Sequence, residues 1–518
     1  MAIALAAFIV YFALFTINEY NTFHVYSDIA IFAYNLYFNL HYPQFAHGLQ
    51  YISIDNHISP YMDLMLPFFY LSSGSITLLV IQLITIAAAG AVAFLVTRDL
   101  TRDSVLALIF GVVLLFYPGT LGLVVYGSHI EFPIPLFYIL MFYFYVKRNT
   151  YAFLASSVLF ILVAEVTPIL MLSFALGMLV MEYRHKKALL GAAETKEAHE
   201  SKKWPFISFL LVLGVLFLVF YSAVSLELAK AYGSGAYQNL PSLIGITAGI
   251  QNRLPQEVLG LFENPVQTIA AAYNTYANGY AAYFAYGFAL VLLGFGITLL
   301  FVPDVAFILM LPWLAGVFLI TGNPSFVQPF SEYFSFVIGP VVCSSILGAM
   351  VLRQKGAAKK SALYGSMTRL VYASAIILPA LLIVGAPLVY LFVVPPSSSL
   401  HTLNLGNFNE LLLFQVNASQ KQAYSQLYYV IKQVPSNGSL MADTFIAPHV
   451  TDREYLELPE ALNSTLPPAP DLILIDPNSS ISPSRCRIEN CTELQSLLSQ
   501  GNYSVYAKNG TAILYKKN

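Results

Sequence analysis

Acidic and imidazole side chains crowd the first long polar interruption of the chain, residues 18–75. An apolar stretch precedes this segment and a longer one follows it, so it reads as a loop held against a membrane. It contains the ionisable residues Glu19, His24, Asp28, His41, His47, Asp55, His57 and Asp63. Carboxylates and imidazoles are the groups that most often transfer protons in enzymes. The segment therefore predicts a site for acid–base chemistry between two membrane spans.

Asp28 stands out within this loop because of the sequence around it, YSDIAIFAYNLYF. The spacing of its apolar residues predicts an amphipathic helix along the membrane surface, with Ile29, Phe32, Leu36 and Leu40 on one face. Asp28 would lie in the first turn, where an acid stabilises the helix dipole. The alternative is a general base directed into a cleft. Both interpretations stay open at this point.

Further polar candidates lie at the predicted ends of other spans. His57 follows Asp55 in IDNHISP and could cap a helix or bind a metal or phosphate, while His129 and Glu131 share the phrase YGSHIEFP. Glu165 interrupts the apolar hairpin VAEVTP. A carboxylate at such a position is costly, so it indicates either a functional site or a hydrogen bond between helices.

Arg253 is the candidate for binding an anion in the second long polar loop. An anionic, lipid-linked substrate needs a cationic partner, and a guanidinium forms paired hydrogen bonds with phosphate. The alternative is an anchor to lipid headgroups.

The composition places these residues in a membrane protein. Hydrophobic residues make up 58% of the chain and charged residues only 10%, and the mean hydropathy is +0.68. Soluble domains contain about 25% charged residues. The formal net charge of -2 gives no sign of a nucleic-acid partner, and no GxxxxGK[ST] nucleotide motif occurs.

Apolar length and the positions of Lys and Arg predict about eleven transmembrane helices within residues 1–396. We place them at 2–18, 76–97, 104–117, 131–146, two short helices within 151–182, 204–226, 281–301, 305–320, 333–351 and 370–394. Every basic cluster then falls on one side. This pattern predicts a multi-pass plasma-membrane protein with a cytoplasmic N-terminus and with the loops 18–75, 118–130 and 227–280 outside.

The tail, residues 397–518, has a different character. It contains N-x-[ST] triplets at Asn417, Asn437, Asn463, Asn478, Asn490, Asn502 and Asn509. Such acceptors favour an exterior, glycosylated face. Strand patterns at 471–476, 503–508 and 511–517 alternate with helical stretches at 419–433 and near 492–500. The tail therefore predicts a small extracytoplasmic α/β domain.

Several phrases together resemble a family of uncharacterised polytopic membrane proteins, a domain of unknown function. They are SDIAIF, HISPYMDLMLPFFYL, GSHIEFP, VAEVTP, MADTFIAPHVTDREYLELPE and DLILID. That family is considered similar to the GT-C glycosyltransferases, among them the protein O-mannosyltransferases and the lipid A aminoarabinose transferases. The resemblance spans nearly the whole chain and implies a GT-C-like fold.

The resemblance also implies a reaction. A polyprenyl-phosphate sugar would enter from the bilayer and meet its acceptor on the outer face, with an acid of the first outer loop as base or metal ligand. Asp28 matches that acid. The family often has a second acid a few residues later, where this chain has Phe32-Ala33-Tyr34. A single base is therefore favoured over a two-carboxylate metal site, and no cofactor is implied beyond an optional divalent metal.

The resulting hypothesis is an integral-membrane glycosyltransferase with Asp28, His57, Glu131 and Glu165 as catalytic candidates, and with His129 and Arg253 as substrate-binding candidates. Its partners would be the polyprenyl-phosphate sugar and membrane lipids. One alternative is a transporter or flippase, for which the motif at Glu165 is the favourable feature. The other is a non-catalytic envelope protein whose outer domain binds a ligand.

Overall fold

The computed structural model describes most of the chain in segments. The described residues are 1–25, 28–42, 53–54, 57–125, 127–184, 204–236, 266, 270, 281–319, 332–359, 366, 369–382, 418–443, 445–453, 455–457, 470–476, 498–499 and 502–518. These segments form a largely helical body and a small sheet near the C-terminus.

Helices dominate the described residues because long apolar segments satisfy their backbone groups internally in this conformation. They are α1 (Ala2–Asn21), α2 (Asp28–His41), α3 (Pro60–Asp63), α4 (Leu66–Leu71), α5 (Ser75–Thr101), α6 (Ser104–Phe116), α7 (Pro118–Val125), α8 (Ile134–Lys147), α9 (Thr150–Ile161), α10 (Thr167–Arg184), α11 (Trp204–Ala236), α12 (Ala281–Leu293), α13 (Pro303–Leu319), α14 (Ser335–Lys359), α15 (Arg369–Leu382) and α16 (Ala418–Ile431). The strands are β1 (Ser53–Ile54), β2 (His57–Ile58), β3 (Gly294–Ile297), β4 (Leu440–Ala442), β5 (Leu456–Glu457), β6 (Leu472–Ile475), β7 (Tyr503–Asn509) and β8 (Ala512–Lys517).

The protein is a multi-pass membrane protein. Five helical segments of the described chain are long and apolar enough to cross a bilayer, namely Ala2–Asn21, Ser75–Thr101, Ser104–Val125, Phe206–Val224 and Ser335–Gln354. Shorter apolar helices occur at Ile134–Lys147, Thr150–Ile161, Pro303–Val317 and Arg369–Leu382. The full count of eleven spans stays a prediction.

Burial separates the central helices from the peripheral ones. The apolar window of α14 is 100% buried, whereas that of α1 is only 22% buried and that of Phe206–Val224 only 28%. Helix α5 packs against α1, α6, α8 and α14. Thus α14 and α5 form the middle of the bundle, and α1 and α11 present apolar side chains outward, as a lipid-facing helix must.

The hairpin predicted within 151–182 is confirmed as two helices. Helix α9 ends at Ile161 and α10 begins at Thr167, with Glu165 in the connecting turn. Pro168 occupies the first turn of α10, where its missing N–H costs nothing.

In the structure, helices extend into two of the predicted outer loops. The loop predicted at 118–130 contains α7, whose residues are all buried, because the run LGLVV continues the apolar path of α6. The loop predicted at 227–280 starts later, because α11 continues to Ala236, first through the helix-favouring run ELAKA. Apart from residues 266 and 270, positions 237–280 lie outside the described residues.

The single span predicted at 281–301 is wrong. Helix α12 ends at Leu293 and is followed by the extended segment β3 and a 3-10 helix at Thr298–Phe301. Gly294 and Gly296 interrupt the apolar run, and Gly296 has a φ of +72°, a left-handed conformation that glycine adopts readily.

Ion pairs gather at one end of the bundle, which we call the basic end. Lys147 pairs with Asp99 at 2.8 Å, Arg148 pairs with Glu182 at 3.1 Å, and Arg184 pairs with Asp304 at 3.1 Å. These contacts bring together the C-terminal ends of α5, α8 and α10 with the start of α13. The clustering of basic residues at one end agrees with the sequence pattern.

Helix α2 forms as predicted, but it packs on protein on both sides. Ile29, Phe32 and Leu36 are buried in the core of the helical bundle, and Ala30 belongs to the core of the C-terminal domain. An apolar stripe is removed from water equally well by lipid or by protein, so the pattern alone does not distinguish the two.

The C-terminal domain is the predicted small α/β unit. Its sheet has the order β5-β4-β6-β8-β7, parallel from β5 to β6 and antiparallel from β6 to β7. Helix α16 packs on β7 and β8. The helix predicted near 492–500 lies outside the described residues except for residues 498 and 499.

Phe23 joins this domain to the first loop. Its side chain is 1% exposed and belongs to the domain's hydrophobic core. Its ring centroid lies 4.3 Å from that of His449 and 4.9 Å from that of Tyr428. The ring of Tyr20, at the end of α1, lies 4.1 Å from His449.

We expect Phe23→Ala to loosen the C-terminal domain from the bundle. Removing a buried aromatic side chain costs about 3–5 kcal/mol in protein cores. Hydrogen exchange in detergent should show faster exchange of the amides around Tyr428 and His449. Phe68→Ala, at a side chain that is 50% exposed, is the matched control. Unchanged exchange around both residues in Phe23→Ala would show that this ring does not hold the domain.

Candidate functional site

Four segments that carry the predicted site residues meet at one place, which we call the loop junction. It consists of the start of α2, residues 57–63, residues 127–134 and the hairpin turn 162–167. The contacts that hold it join residues far apart in the chain, so no local pattern specifies them.

Glu165 holds the first loop at this junction. Its side chain is 5% exposed, and its Oε2 accepts a hydrogen bond of 3.2 Å from the backbone N–H of Ile58. This bond fixes strand β2 against the hairpin turn. His57 precedes Ile58 in the same strand, but the description of the structure does not include its side chain.

Two further bonds fasten the same segments. The Ser59 hydroxyl donates to the Val163 carbonyl at 2.6 Å, and the Tyr61 N–H donates to the Leu162 carbonyl at 2.9 Å. The hairpin turn therefore offers backbone acceptors to the first loop, which lowers the number of unsatisfied polar groups on both sides.

His129 and Glu131 form a buried pair in the segment before α8. Nδ1 of His129 contacts Oε2 of Glu131, and the two residues are 5% and 2% exposed. The backbone is turned here by bonds from Phe132 N–H to the His129 carbonyl and from Ile134 N–H to the Glu131 carbonyl. The carboxylate of Glu131 holds the imidazole of His129 in one orientation.

Helix α2 brings Asp28 toward this pair. The ring of Phe32 meets that of His129 edge to face, with centroids 5.5 Å apart and an interplanar angle of 73°. Asp28 is half-buried and lies four residues before Phe32, which places it on the same side of the helix about 6 Å further along. On the other side of His129, the ring of Tyr333 lies at 6.5 Å.

Aromatic contacts connect the remaining segments. The ring of Tyr61 lies 6.5 Å from Phe132 and 5.5 Å from Phe137. The first loop is thus packed against both the hairpin turn and the segment that contains His129 and Glu131.

The structure therefore brings together the segments of Asp28, His57, His129, Glu131 and Glu165. Arg253 lies outside the described residues. Within the part of the chain that the structure describes, no three His, Cys, Asp or Glu side chains are grouped closely enough to hold a metal ion.

Asp63 is a further acid of this region, which the spacing of the sequence did not single out for a role. It ends α3, and burial raises the pKa of its carboxyl to about 6. Its buried Oδ1 has no hydrogen-bond partner among the described residues. The sequence feature that could have indicated a role for Asp63 is its position directly before the apolar run LMLPFF.

We expect Glu165→Ala to destabilise the loop junction. It leaves the buried Ile58 N–H without its acceptor, which costs about 1–3 kcal/mol. Hydrogen exchange at the Ile58 amide should accelerate, whereas Glu165→Gln, which keeps an acceptor oxygen, should restore most of the protection. Equal exchange in the wild type and Glu165→Ala would contradict this role.

Asp63 predicts a pH dependence of stability. Because its carboxyl has a pKa of 3.8 when unfolded and about 6 when folded, the folded state binds more protons between these values. Stability should therefore fall as pH rises from about 4 to about 6. Asp63→Asn should remove this component from thermal unfolding curves of the solubilised protein.

Asp471→Asn is the control for this measurement. Hydrogen bonds from Ser439 lower the pKa of the Asp471 carboxyl. Asp471 therefore changes the stability with pH only below pH 3.8, and Asp471→Asn should not change the slope of stability against pH above pH 4. Identical slopes for the wild type and Asp63→Asn would exclude Asp63 as their source.

Comparison with known proteins identifies the family. No curated protein is significantly similar to the chain. The model of one family, described as "Predicted membrane protein (DUF2079)", matches residues 26–514. This match includes all four segments of the loop junction and most of the C-terminal domain. The protein thus belongs to the DUF2079 family of membrane proteins.

Proposed function

We propose that the protein is an integral-membrane glycosyltransferase of the GT-C type, which transfers a sugar from a polyprenyl-phosphate donor to an acceptor. The observation that carries this proposal is the contact of Phe32, one helical turn after Asp28 in α2, with the buried His129–Glu131 pair from a separate loop. Such an arrangement offers acid–base groups next to the bilayer, where a lipid-linked donor is held.

The orientation follows from the positive-inside rule. The basic end, with Lys147, Arg148 and Arg184, would face the cytoplasm. The loop junction and the C-terminal domain would then lie on the outer side of the plasma membrane, and the N-terminus inside. Acceptor and donor would meet there, the acceptor from the exterior and the donor from the outer leaflet.

Asp28 is the proposed general base. It would take the proton of the acceptor hydroxyl as that oxygen bonds to the anomeric carbon of the sugar. The bond from the anomeric carbon to the phosphate oxygen breaks, and polyprenyl phosphate leaves with the electron pair. Asp28 is half-buried in the first turn of α2, so part of its side chain is exposed.

The other candidates take supporting roles in this proposal. The buried His129–Glu131 pair positions Phe32 and thereby α2, and Glu165 positions the strand that contains His57. His57 would contact the substrate, and Arg253 would bind the donor phosphate. A divalent metal stays optional, and surrounding membrane lipids complete the site.

Replacement of the base tests the mechanism. We expect Asp28→Asn to lower sugar transfer from a polyprenyl-phosphate donor by about 10²–10⁴-fold, the usual contribution of a general base. Asp304→Asn is the matched control, because it removes an acid of the basic end whose ion pair with Arg184 is partly exposed. Thermal unfolding should be similar for both variants.

Other results would favour other functions. Full transfer activity in Asp28→Asn would exclude Asp28 as the base. Substrate uptake or lipid scrambling in proteoliposomes, unchanged by Asp28→Asn and without any sugar transfer, would indicate a transporter. Specific glycan binding without transfer or transport would indicate an envelope protein.

A further inference from the structure

A polar cavity separates the start of α5 from the C-terminal domain. Its volume is about 330 Å³, which is large enough for a small anionic group. None of its lining residues belongs to the loop junction. The polar and charged side chains that line it are those of Tyr20, Ser72, Ser73, Ser75, His449, Thr451, Asp452 and Arg453.

The N-terminus of α5 opens into this cavity. The helix is 27 residues long, and its first turn contains no acidic residue. Gly74 is the N-cap residue, with φ of +100°, and it contributes no capping side chain. The first N–H groups of a helix have no acceptor within the helix and carry a positive partial charge, which attracts anions. The hydroxyl of Ser75 is buried here, with no hydrogen-bond partner among the described residues.

Arg453 faces the same cavity from the C-terminal domain. Its side chain is 5% exposed, and it donates from Nε to the Val450 carbonyl at 3.0 Å and from Nη2 to the Pro435 carbonyl at 3.3 Å. Its buried Nη1 has no partner in the described part of the chain. Burial lowers the pKa of the guanidinium to about 10, so it stays protonated at neutral pH. A buried cation without an anionic partner is costly, and a bound anion offsets that cost.

Among the other charged and titratable groups of the cavity, the Asp452 carboxylate is near enough to raise the pKa of Arg453 but gives Nη1 no hydrogen-bond partner. Burial lowers the pKa of His449 to about 3, so the imidazole is neutral. Asp452 is exposed, and its carboxylate accepts hydrogen bonds from Ser73 at 2.8 Å and Thr451 at 3.4 Å. No ion pair joins Asp452 to Arg453 among the described side chains. Asp452 therefore lies beside the helix N-terminus but does not satisfy Nη1.

We propose that this cavity binds a phosphate group, held by the N-terminus of α5, the Ser75 hydroxyl and the Nη1 of Arg453. The phosphate can belong to a lipid headgroup or to free phosphate. The cavity lies where α1 ends and α5 begins, which is the level at which a transmembrane helix leaves the bilayer. The site is independent of the proposed sugar transfer, because it shares no residue with the loop junction.

The test uses the full-length protein purified in detergent. Inorganic phosphate, titrated at constant ionic strength against chloride, should raise the temperature of thermal unfolding in a saturable manner. Ser75→Ala and Arg453→Gln should each weaken the apparent affinity about tenfold or more, as expected for the loss of a hydrogen bond to a charged group. Arg98→Gln, at the opposite end of α5, is the matched control for net charge and should bind phosphate like the wild type.

Asp452→Asn supplies a test with the opposite sign. Removing the carboxylate beside the cavity reduces repulsion, so phosphate should bind more tightly than to the wild type. If Asp452 itself were the resident anion of this helix N-terminus, the substitution would lower stability without any gain in affinity, and the proposal would fail. If Arg453→Gln does not fold, Arg453→Lys, which keeps the charge, replaces it as the test variant.

Nanodiscs distinguish the two sources of phosphate. Stabilisation by phosphatidylglycerol over phosphatidylcholine, lost in Ser75→Ala but not in Arg98→Gln, would assign the site to a lipid headgroup. Stabilisation by inorganic phosphate alone would assign it to free phosphate. Equal responses of the wild type, Ser75→Ala and Arg453→Gln to both probes, or no response at all, would overturn the proposal.

Discussion

The hydrogen bond from the Ile58 backbone to the buried carboxylate of Glu165 is the constraint on which the loop junction depends. Burying the Glu165 carboxylate is costly, and the backbone carbonyls in the turn between α9 and α10 have no partners within a helix. Both therefore need hydrogen-bond donors from elsewhere in the chain. The first loop supplies them through Ile58, Ser59 and Tyr61. The same contacts that satisfy the hairpin turn also give the first loop a fixed position. The hydrogen bonds that offset the burial of Glu165 therefore also fix the position of the first loop.

Helix α2 extends this constraint to the outside of the bundle. Phe32 packs on His129 toward the membrane helices, and Ala30 packs into the core of the C-terminal domain. Because a helix of this length is rigid, the two contacts fix the position of Asp28 relative to both bodies. Phe23 adds a second attachment of the same domain just before α2. If Asp28 is the proposed base, its place between two packed surfaces would orient it better than a position on a free loop.

The cavity beneath the C-terminal domain is a second consequence of this docking. The domain brings Arg453 close to the start of α5, so a positive side chain and a positive helix end meet in one polar space. The Asp452 carboxylate lies beside both groups but gives the buried Nη1 of Arg453 no hydrogen bond, which is the basis for proposing a bound anion. The loop junction and this cavity are thus separate sites, and we propose proton transfer for the first and phosphate binding for the second.

Much of the architecture was predictable, and the reasons are local. Apolar length places α1, α5 and α14, the break at Pro168 separates α9 from α10, and the strand patterns of the tail place β6, β7 and β8. The interruption after Leu293 escaped prediction, because a glycine pair in an apolar run is compatible with helix until its backbone angles are known. The candidate site was predictable as a set of residue types but not as an arrangement. Glu165 was recognised by its burial cost, whereas Asp63 was listed among the ionisable residues without a role, because the burial that raises its pKa is set by the tertiary fold.

The sequence by itself determined that this is a multi-pass helical membrane protein with a small α/β domain at its C-terminal end. It also determined which few acids and histidines interrupt the apolar segments. Hydrophobic length and periodicity are properties of short stretches, so they can be read without knowing what packs against them. Only the tertiary structure decided that Ile58 meets Glu165, that Phe32 meets His129, and that α2 packs on both the helical bundle and the C-terminal domain. Those contacts join residues from distant segments, and an apolar or polar side chain does not encode which of many suitable partners it will find.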